Sequence, residues 1–599
     1  MTDILSKNRW RPWLLIICLA IAFVSGQVVA ASEQAKPAKR RPNVVLIMTD
    51  DQGYGDFGFH GNPVIKTPHL DRLAAESIEL TRFHVSPVCS PTRSSLLTGR
   101  YNYRTGVVDT YLGRSMMAPD ELTLAEMLRD AGYRTAIFGK WHLGDNYPLR
   151  AVDQGFEESL VHRGGGIGQP SDPPDNHSYF DPGLVHNGKD ERARGYISDV
   201  ITDAAIKYIE AHRQDPFFVY LAFNCPHTPL EVPDRYREPY DKADFSNKAF
   251  PQVGRPIEGK VNAADTAKIY GMITNIDDNL GRLFKSLDEL KLAEDTIVVF
   301  LTDNGPQQPR FNGGLRGRKG TVYDGGIRVP CLVRLPGQLQ PGRKVDAPAA
   351  HIDLTPTLLA ACGVERPADA KFDGVNLWPL LSGKQAALPE RTLFFQWHRG
   401  DAPQALRACA ARDSQFKLVQ AQGAGDQEFK GNPKFELFDV VADPYEEHDL
   451  AADRPEIVAR LKREYEAWFK DVTGSRGFEP VRIEVGSGRQ DPVMLSRQDW
   501  RGPRAGWGKQ GIGAWEIKVD RAGTYDVTVR FEPTTEAATA VLRWGDKMET
   551  QSVASGAATA RFTGIEWPAG PLLLECTVER GEKRQGAQYV EIQIPASQR

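Results

Sequence analysis

Four apolar runs, each ending in a cluster of polar residues, constrain this chain more than any other feature. Asn43–Thr49 (NVVLIMT) runs into Asp50 and Asp51. Thr135–Phe138 runs into Gly139-Lys140-Trp141-His142. Phe217–Phe223 (FFVYLAF) runs into Asn224-Cys225-Pro226-His227, and Thr296–Leu301 (TIVVFL) into Thr302-Asp303-Asn304-Gly305. Such a run reads as a strand buried on both faces, the pattern of a parallel sheet. Helical patterns lie between the runs, at Asp71–Ser77, Thr123–Ala131, Ser198–His212 and Ala264–Leu290. The second of these opens with a capping box, Thr123 and Glu126. Strands alternating with helices predict an α/β fold with a mainly parallel central sheet covered on both faces. In open sheets of this kind ligands bind just beyond the carboxyl ends of the strands. The four polar clusters are therefore expected to converge on one pocket. Any one of them alone reads as a solvated turn; four together do not.

The chain has 599 residues, more than the roughly 250–300 at which a single core stops growing. Residues 42–371 hold the α/β pattern. Residues 372–472 contain short strand-like pieces, Leu393–Gln396, Phe416–Val419 and Phe435–Phe438, and a helical run at Ile457–Phe469. They predict a small antiparallel sheet with a helix. Residues 480–599 change character. Alternating patterns recur at Ala514–Val519, Tyr525–Phe531, Thr539–Trp544, Leu572–Val578 and Tyr589–Ile594, which predicts an appended all-β sandwich.

Residues 1–31 read as a secretory signal peptide. Lys7, Arg9 and Arg11 precede an apolar run from Trp13 to Val24, followed by small residues around Ala30 and Ala31. That run is short of the roughly 20 residues a membrane span requires. The expectation is a secreted or periplasmic protein with no membrane span after cleavage. The formal net charge of -4, with no long basic run, gives no footprint for nucleic acid. An anionic substrate must be held by a local cluster of positive groups. The seven cysteines include no CxxC pair, so neither a dense disulfide framework nor a thiolate zinc site is expected.

The chemistry centres on Cys89-Ser90-Pro91-Thr92-Arg93, followed by Leu97-Thr98-Gly99-Arg100. Here the sequence resembles the type I sulfatases of the alkaline phosphatase-like superfamily, whose signature is Cys-x-Pro-x-Arg with a downstream Leu-Thr-Gly segment. The resemblance runs from about residue 42 to 470. It implies that a formylglycine-generating maturation enzyme oxidises Cys89 to formylglycine (3-oxoalanine). One hydroxyl of the hydrated aldehyde attacks sulfur; the other later loses its proton and expels sulfate.

Asp50, Asp51, Asp303 and Asn304 are hard oxygen donors, suited to Ca²⁺ or Mg²⁺. Their two segments match the family's metal-binding segments, which implies a calcium ion shared with the Cys89 side chain. The resemblance assigns Arg93 to the nucleophile loop and Lys140 to a sulfate oxygen and the nucleophile. It assigns His142 to the nucleophile's second hydroxyl as a base, His227 to sulfate as a general acid, and Lys319 to the sulfate clamp. His351, also in a family-like segment, reads as structural, and His60, His69 and His84 as structural or rim residues.

The stretch Ala222–Pro239, with Val107–Leu112, resembles the arylsulfatase B-like branch, which acts on sulfated amino sugars such as N-acetylgalactosamine sulfate. The substrate implied is a sulfated carbohydrate, a glycosaminoglycan or polysaccharide. His162, Gly164–Gly166, His177 and Trp397-His398-Arg399 are candidates for the pocket wall. The C-terminal sandwich resembles carbohydrate-binding jelly rolls, and Trp500, Trp507 and Trp515 are candidates either for stacking on sugars or for its core. Two alternatives stand beside this: a phosphate or phosphonate ester hydrolase on the same scaffold, and an inactive carbohydrate-binding protein.

Overall fold

The computed structural model describes residues 41–173 and 175–598. The expected signal peptide and Cys18 lie outside the described residues.

The Asn43–Thr49 strand is buried along its whole length, and its residues alternate between two cores. Val44, Leu46 and Met48 enter one, with Leu96, Leu97, Leu124, Leu354 and Leu358. Val45 and Ile47 enter the other, with Leu70, Leu73, Ile197, Ile201, Met272 and Ile276. This is why the run carries no polar alternation: helices cover both faces of the sheet.

The sheet has ten strands. Its centre is a parallel block in the order Thr296–Thr302, Asn43–Thr49, Phe217–Ala222, Arg134–Lys140, Glu158–His162. Cys331–Arg334 joins one side antiparallel, and Gly183–His186 and Lys189–Arg192 continue the other. Parallel pairing places the carboxyl ends of the four central runs on one edge. The four expected helices are present as Pro68–Glu76, Leu124–Asp130, Ile197–Ala211 and Ala263–Glu289. Both halves of the Thr123 capping box form.

Leu393–Gln396, Cys409–Arg412, Phe416–Gln420 and Glu436–Asp439 make a four-stranded antiparallel sheet. The helix Pro455–Gly474 packs on it through Leu461 and Tyr465. From Ile483 onward a six-stranded and a four-stranded sheet enclose one core. Trp515, Ile517, Leu542 and Cys576 come from the first sheet, and Val527, Val529, Val590 and Ile592 from the second. Trp500 and Trp515 are fully buried in this core, with ring centroids 5.6 Å apart, so they serve packing and not a sugar surface. Trp507 is half-buried, its ring edge-on to Tyr111 at 5.3 Å.

The helix Cys89–Thr98 is not an amphipathic surface helix. Every one of its ten residues is buried. Cys89 is its first residue, so the side chain sits where unpaired backbone N–H groups favour negative charge. The six described cysteines are all buried and unpaired with one another. No described helix is long and apolar enough to cross a membrane.

Candidate active site

The four strand ends meet around Cys89. Its sulfur and one carboxylate oxygen each of Asp50 and Asp303 lie within 4.8 Å of one another. Asp50 Oδ2 is 2.5 Å from Lys140 Nζ, and Asp51 Oδ1 is 2.6 Å from Lys319 Nζ. Arg93 Nη2 donates to Asp303 Oδ2 at 2.8 Å, and its Nη1 donates to the Lys140 carbonyl at 2.9 Å. Asn304 Nδ2 donates to Asp51 Oδ1 at 2.8 Å, and the Asp51 amide donates to Asp303 Oδ1 at 3.2 Å. His227 Nε2 lies 3.8 Å from Asp51 Oδ2. All these side chains are buried except that of Lys319, which is half-buried.

Two non-glycine residues here adopt left-handed backbone conformations: Asp51 with φ 62° and His142 with φ 60°. Such conformations are uncommon outside glycine and concentrate at functional sites, where the surroundings hold them. From these positions Asp51 meets Lys319 and Asn304, and His142 meets the Thr110 carbonyl.

The acceptor inventory tests the expected cation. Asp50 Oδ1, Asp51 Oδ2, Asn304 Oδ1 and Gln52 Oε1 are buried oxygens without a hydrogen-bond partner among the described residues. Orphaned buried acceptors are rare in a folded protein, and those of Asp50, Asp51 and Asn304, with the Asp303 carboxylate beside them, fit an oxygen-liganded divalent cation. Burial and then the neighbouring Asp50 push the Asp303 carboxyl up to about 6. Burial alone would also raise Asp51, but Lys319 and then His227 hold it below the usual carboxylate range. The donor set therefore suits Ca²⁺ or Mg²⁺.

The other ionisable groups follow the same physics. Burial pushes the Cys89 thiol up to about 11 despite Lys140 and Lys319, so the unmodified sulfur is no thiolate at neutral pH. Burial and then Lys319 drive His227 down to about 3; burial and then Lys140 drive His142 well below its ordinary value. Both histidines are therefore neutral at neutral pH. Nδ1 of His227 faces the Thr228 carbonyl at 2.7 Å, and Nε2 of His142 faces the Thr110 carbonyl at 2.8 Å. A carbonyl only accepts, so these nitrogens carry the protons. His227 Nε2 and His142 Nδ1 are left as the free ring nitrogens, and His142 Nδ1 is buried without a partner.

Residues 42–364 match the Sulfatase family, and residues 318–470 match the N-sulphoglucosamine sulphohydrolase C-terminal region. The chain belongs to the type I sulfatase family. This sulfatase is 30% identical over 620 residues to the steryl-sulfatase of Mus musculus, covering 86% of this chain and 93% of that one. It is 32% identical over 400 residues to the N-acetylgalactosamine-6-sulfatase of Homo sapiens, covering 61% of this chain and 70% of the relative. Among solved structures, Ps i-CgsB in complex with k-i-k-neocarrahexaose is similar with a TM-score of 0.61 and 27% identity, covering 72% of this chain and 93% of that chain. The sulfatase has the alkaline phosphatase-like α/β fold.

The expected wall residues separate. His162 pairs in register with Lys140 and is buried. Gly165 lies so close to the His142 ring that a Cβ would meet it at 2.5 Å, and a Cβ on Gly166 would meet His227 Cε1 at 3.2 Å. Close approach thus leaves no room for a side chain at Gly165 and little at Gly166. Trp397 Nε1 and Arg399 Nη1 both donate to Asp109 Oδ1, at 3.0 and 2.7 Å, and a Cβ on Gly320, beside Lys319, would meet Trp397. His398 bonds only to backbone of its own loop, and His177 is exposed. His351 is buried, 3.1 Å from Ser86 Oγ, and His60 pairs with Glu79.

Sequence reasoning passed over three groups in this sulfatase. Thr92 Oγ1 donates to the Asp303 carbonyl at 2.7 Å, tying the Cys89–Thr98 helix to the end of the Thr296–Thr302 strand. Asn224 is fully buried with neither side-chain atom bonded, one residue before Cys225 on the same edge. Its strand-end position was the available signal. Thr110 lies in the Val107–Leu112 stretch, but nothing in the sequence signalled its contact with His142.

Proposed function

We propose that this sulfatase releases inorganic sulfate from a sulfated carbohydrate, with Cys89 carried as formylglycine and calcium held by Asp50, Asp51, Asp303 and Asn304. One observation carries the reading: the Cys89 side chain opens a fully buried helix within 4.8 Å of two carboxylates whose neighbours include unbonded oxygens.

Formylglycine here supplies a hydrated aldehyde, a hydroxyl nucleophile where the buried thiol would be protonated. A calcium ion supplies a Lewis acid beside it. The chain's own residues do the remaining work. Arg93, locked to Asp303 and the Lys140 carbonyl, fixes the strand ends around the nucleophile. Lys140 and Lys319 flank the sulfate position with positive charge, which favours an anionic ester and the charge that develops on it. His142 Nδ1, unprotonated, accepts the proton whose loss frees sulfate. His227 is neutral until the anionic sulfate adds negative charge beside Nε2, which favours protonation there and lets it serve the leaving alcohol. Residues 1–31 direct export, and a maturation enzyme acts on Cys89.

A sugar substrate is supported by the names of two of the relatives, while the steryl-sulfatase marks the competing class. The test is free sulfate released from defined sulfated oligosaccharides, a steroid sulfate and an aryl sulfate, set against free phosphate released from an aryl phosphate. Preference for the aryl phosphate would overturn the sulfatase reaction, and preference for the steroid would overturn the sugar. Mass spectrometry of the Cys89 peptide must show loss of the thiol in a host that carries the maturation enzyme.

A further inference from the structure

The Thr110 carbonyl that fixes the His142 ring accepts a second hydrogen bond, from Gln498 Nε2 at 3.0 Å. Gln498 belongs to the C-terminal β-sandwich, 388 residues away in sequence, and outside both family matches, which end by residue 470. It is buried, and its Nε2 also reaches Ser115 Oγ at 3.2 Å. The amide orientation follows from chemistry, because only the nitrogen can donate to a carbonyl. The Thr110 carbonyl thus spends both lone pairs, one on His142 and one on Gln498.

The contact is one of several that bind the 109–116 loop to the sandwich. The Gly113 amide donates to the Gln498 carbonyl at 2.7 Å, and Arg501 Nη2 donates to the Gly113 carbonyl at 2.6 Å. Leu112 and Met116 are buried in the sandwich core, among Val485, Leu495 and Trp515. The loop on the other side of His142 is held likewise. Asn146 Nδ2 donates to the Met494 carbonyl at 2.8 Å, and the Tyr147 amide donates to Gln490 Oε1 at 2.7 Å. His142 has a left-handed backbone and a ring with one described hydrogen bond, so its position depends on these loops.

We propose that the C-terminal β-sandwich is a working part of the sulfatase site, with Gln498 as a positioning residue that sets the orientation and tautomer of His142 through Thr110. The inference rests on the reading of His142 as the proton acceptor. Gln498 touches neither substrate nor nucleophile. It holds the Thr110 carbonyl where His142 Nε2 must donate, which leaves Nδ1 as the basic nitrogen.

The test uses the full chain and the near-isosteric variant Gln498→Glu, whose carboxylate cannot donate to Thr110. Ring ¹⁵N spectra of histidine-labelled protein, with His142 assigned by loss of its signals in His142→Ala, report the tautomer without turnover. The wild type is expected to show His142 protonated at Nε2 alone, and Gln498→Glu to show the Nδ1-protonated form or a mixture. Aryl sulfate turnover by Gln498→Glu is expected to fall roughly 10-fold or more in kcat, with KM within about 2-fold. If Gln498→Glu does not fold, Gln498→Met serves the same comparison. A His142 spectrum identical to wild type in the variant overturns the inference. A His142→Ala enzyme that keeps its kcat overturns the catalytic reading of His142 instead, so the two failures are distinguishable.

Discussion

Lys140 ends one strand and Asp50 directly follows another, with one strand between them, yet Nζ and Oδ2 meet at 2.5 Å with both side chains fully buried. The pair spans the end of the Phe217–Ala222 strand that lies between them. Removing one partner of a buried ion pair leaves the other charge uncompensated, at a cost of roughly 3–5 kcal/mol. Lys140→Met is therefore expected to lower the urea midpoint in chelator. Calcium should restore part of that loss, because the ion takes over the charge on Asp50. Aryl sulfate turnover should fall by about 100-fold or more, since a cation beside the sulfate position is gone. Unchanged turnover would remove Lys140 from the site.

The unbonded oxygens of Asp50, Asp51 and Asn304 lead to a second expectation. A ligand that binds only the folded state stabilises it by mass action, about 2.7 kcal/mol at a concentration 100 times its Kd. Chelated protein should gain thermal stability on adding calcium, and Asn304→Ala should need more calcium for the same gain. Melting curves that coincide with and without calcium would refute the metal assignment.

Away from the pocket, Thr123 caps the helix Leu124–Asp130. Its Oγ1 accepts from the Glu126 amide at 3.1 Å, and its own amide donates to Glu126 Oε2 at 2.9 Å. Thr123→Ala should cost about 1 kcal/mol in urea unfolding and leave turnover unchanged. A loss of kcat without a loss of stability would contradict a purely structural role.

The strand ends were legible because a strand buried on both faces leaves an uninterrupted apolar run, and a parallel sheet carries every such run to the same edge. Asp50, Lys140, His227 and Asp303 are each the residue at, or shortly after, such an end. At Cys89–Thr98 the motif was legible and the helix was not. All its faces are buried, so CSPTRSSLLT shows no apolar stripe. The strand Lys547–Val553 was missed because six of its seven residues are exposed on a sheet edge, which erases the alternation. Thr559–Trp567 was missed because a register shift between Tyr525 and Val527 of its partner breaks its period between Phe562 and Ile565. The partnership of Gln498 and Thr110 is purely tertiary, and no local pattern encodes it.

The last expectation concerns acid. Burial drives His351 down to about 3, and its ring is enclosed beside Ser86. In the unfolded chain the same group titrates near 6.5. Between these values the unfolded state binds the proton and the folded state does not, so stability rises with pH across that window. The contribution is full above about 6.5 and is lost progressively as pH falls toward about 3. His84 and His162 are displaced downward in the same way, also by burial first, and steepen the slope. His351→Gln, which has no proton to gain, should show a shallower fall in urea midpoint between pH 7 and pH 4 than the wild type, even if its stability at pH 7 is lower. Parallel pH curves for the two proteins would show that His351 is not held neutral by its burial.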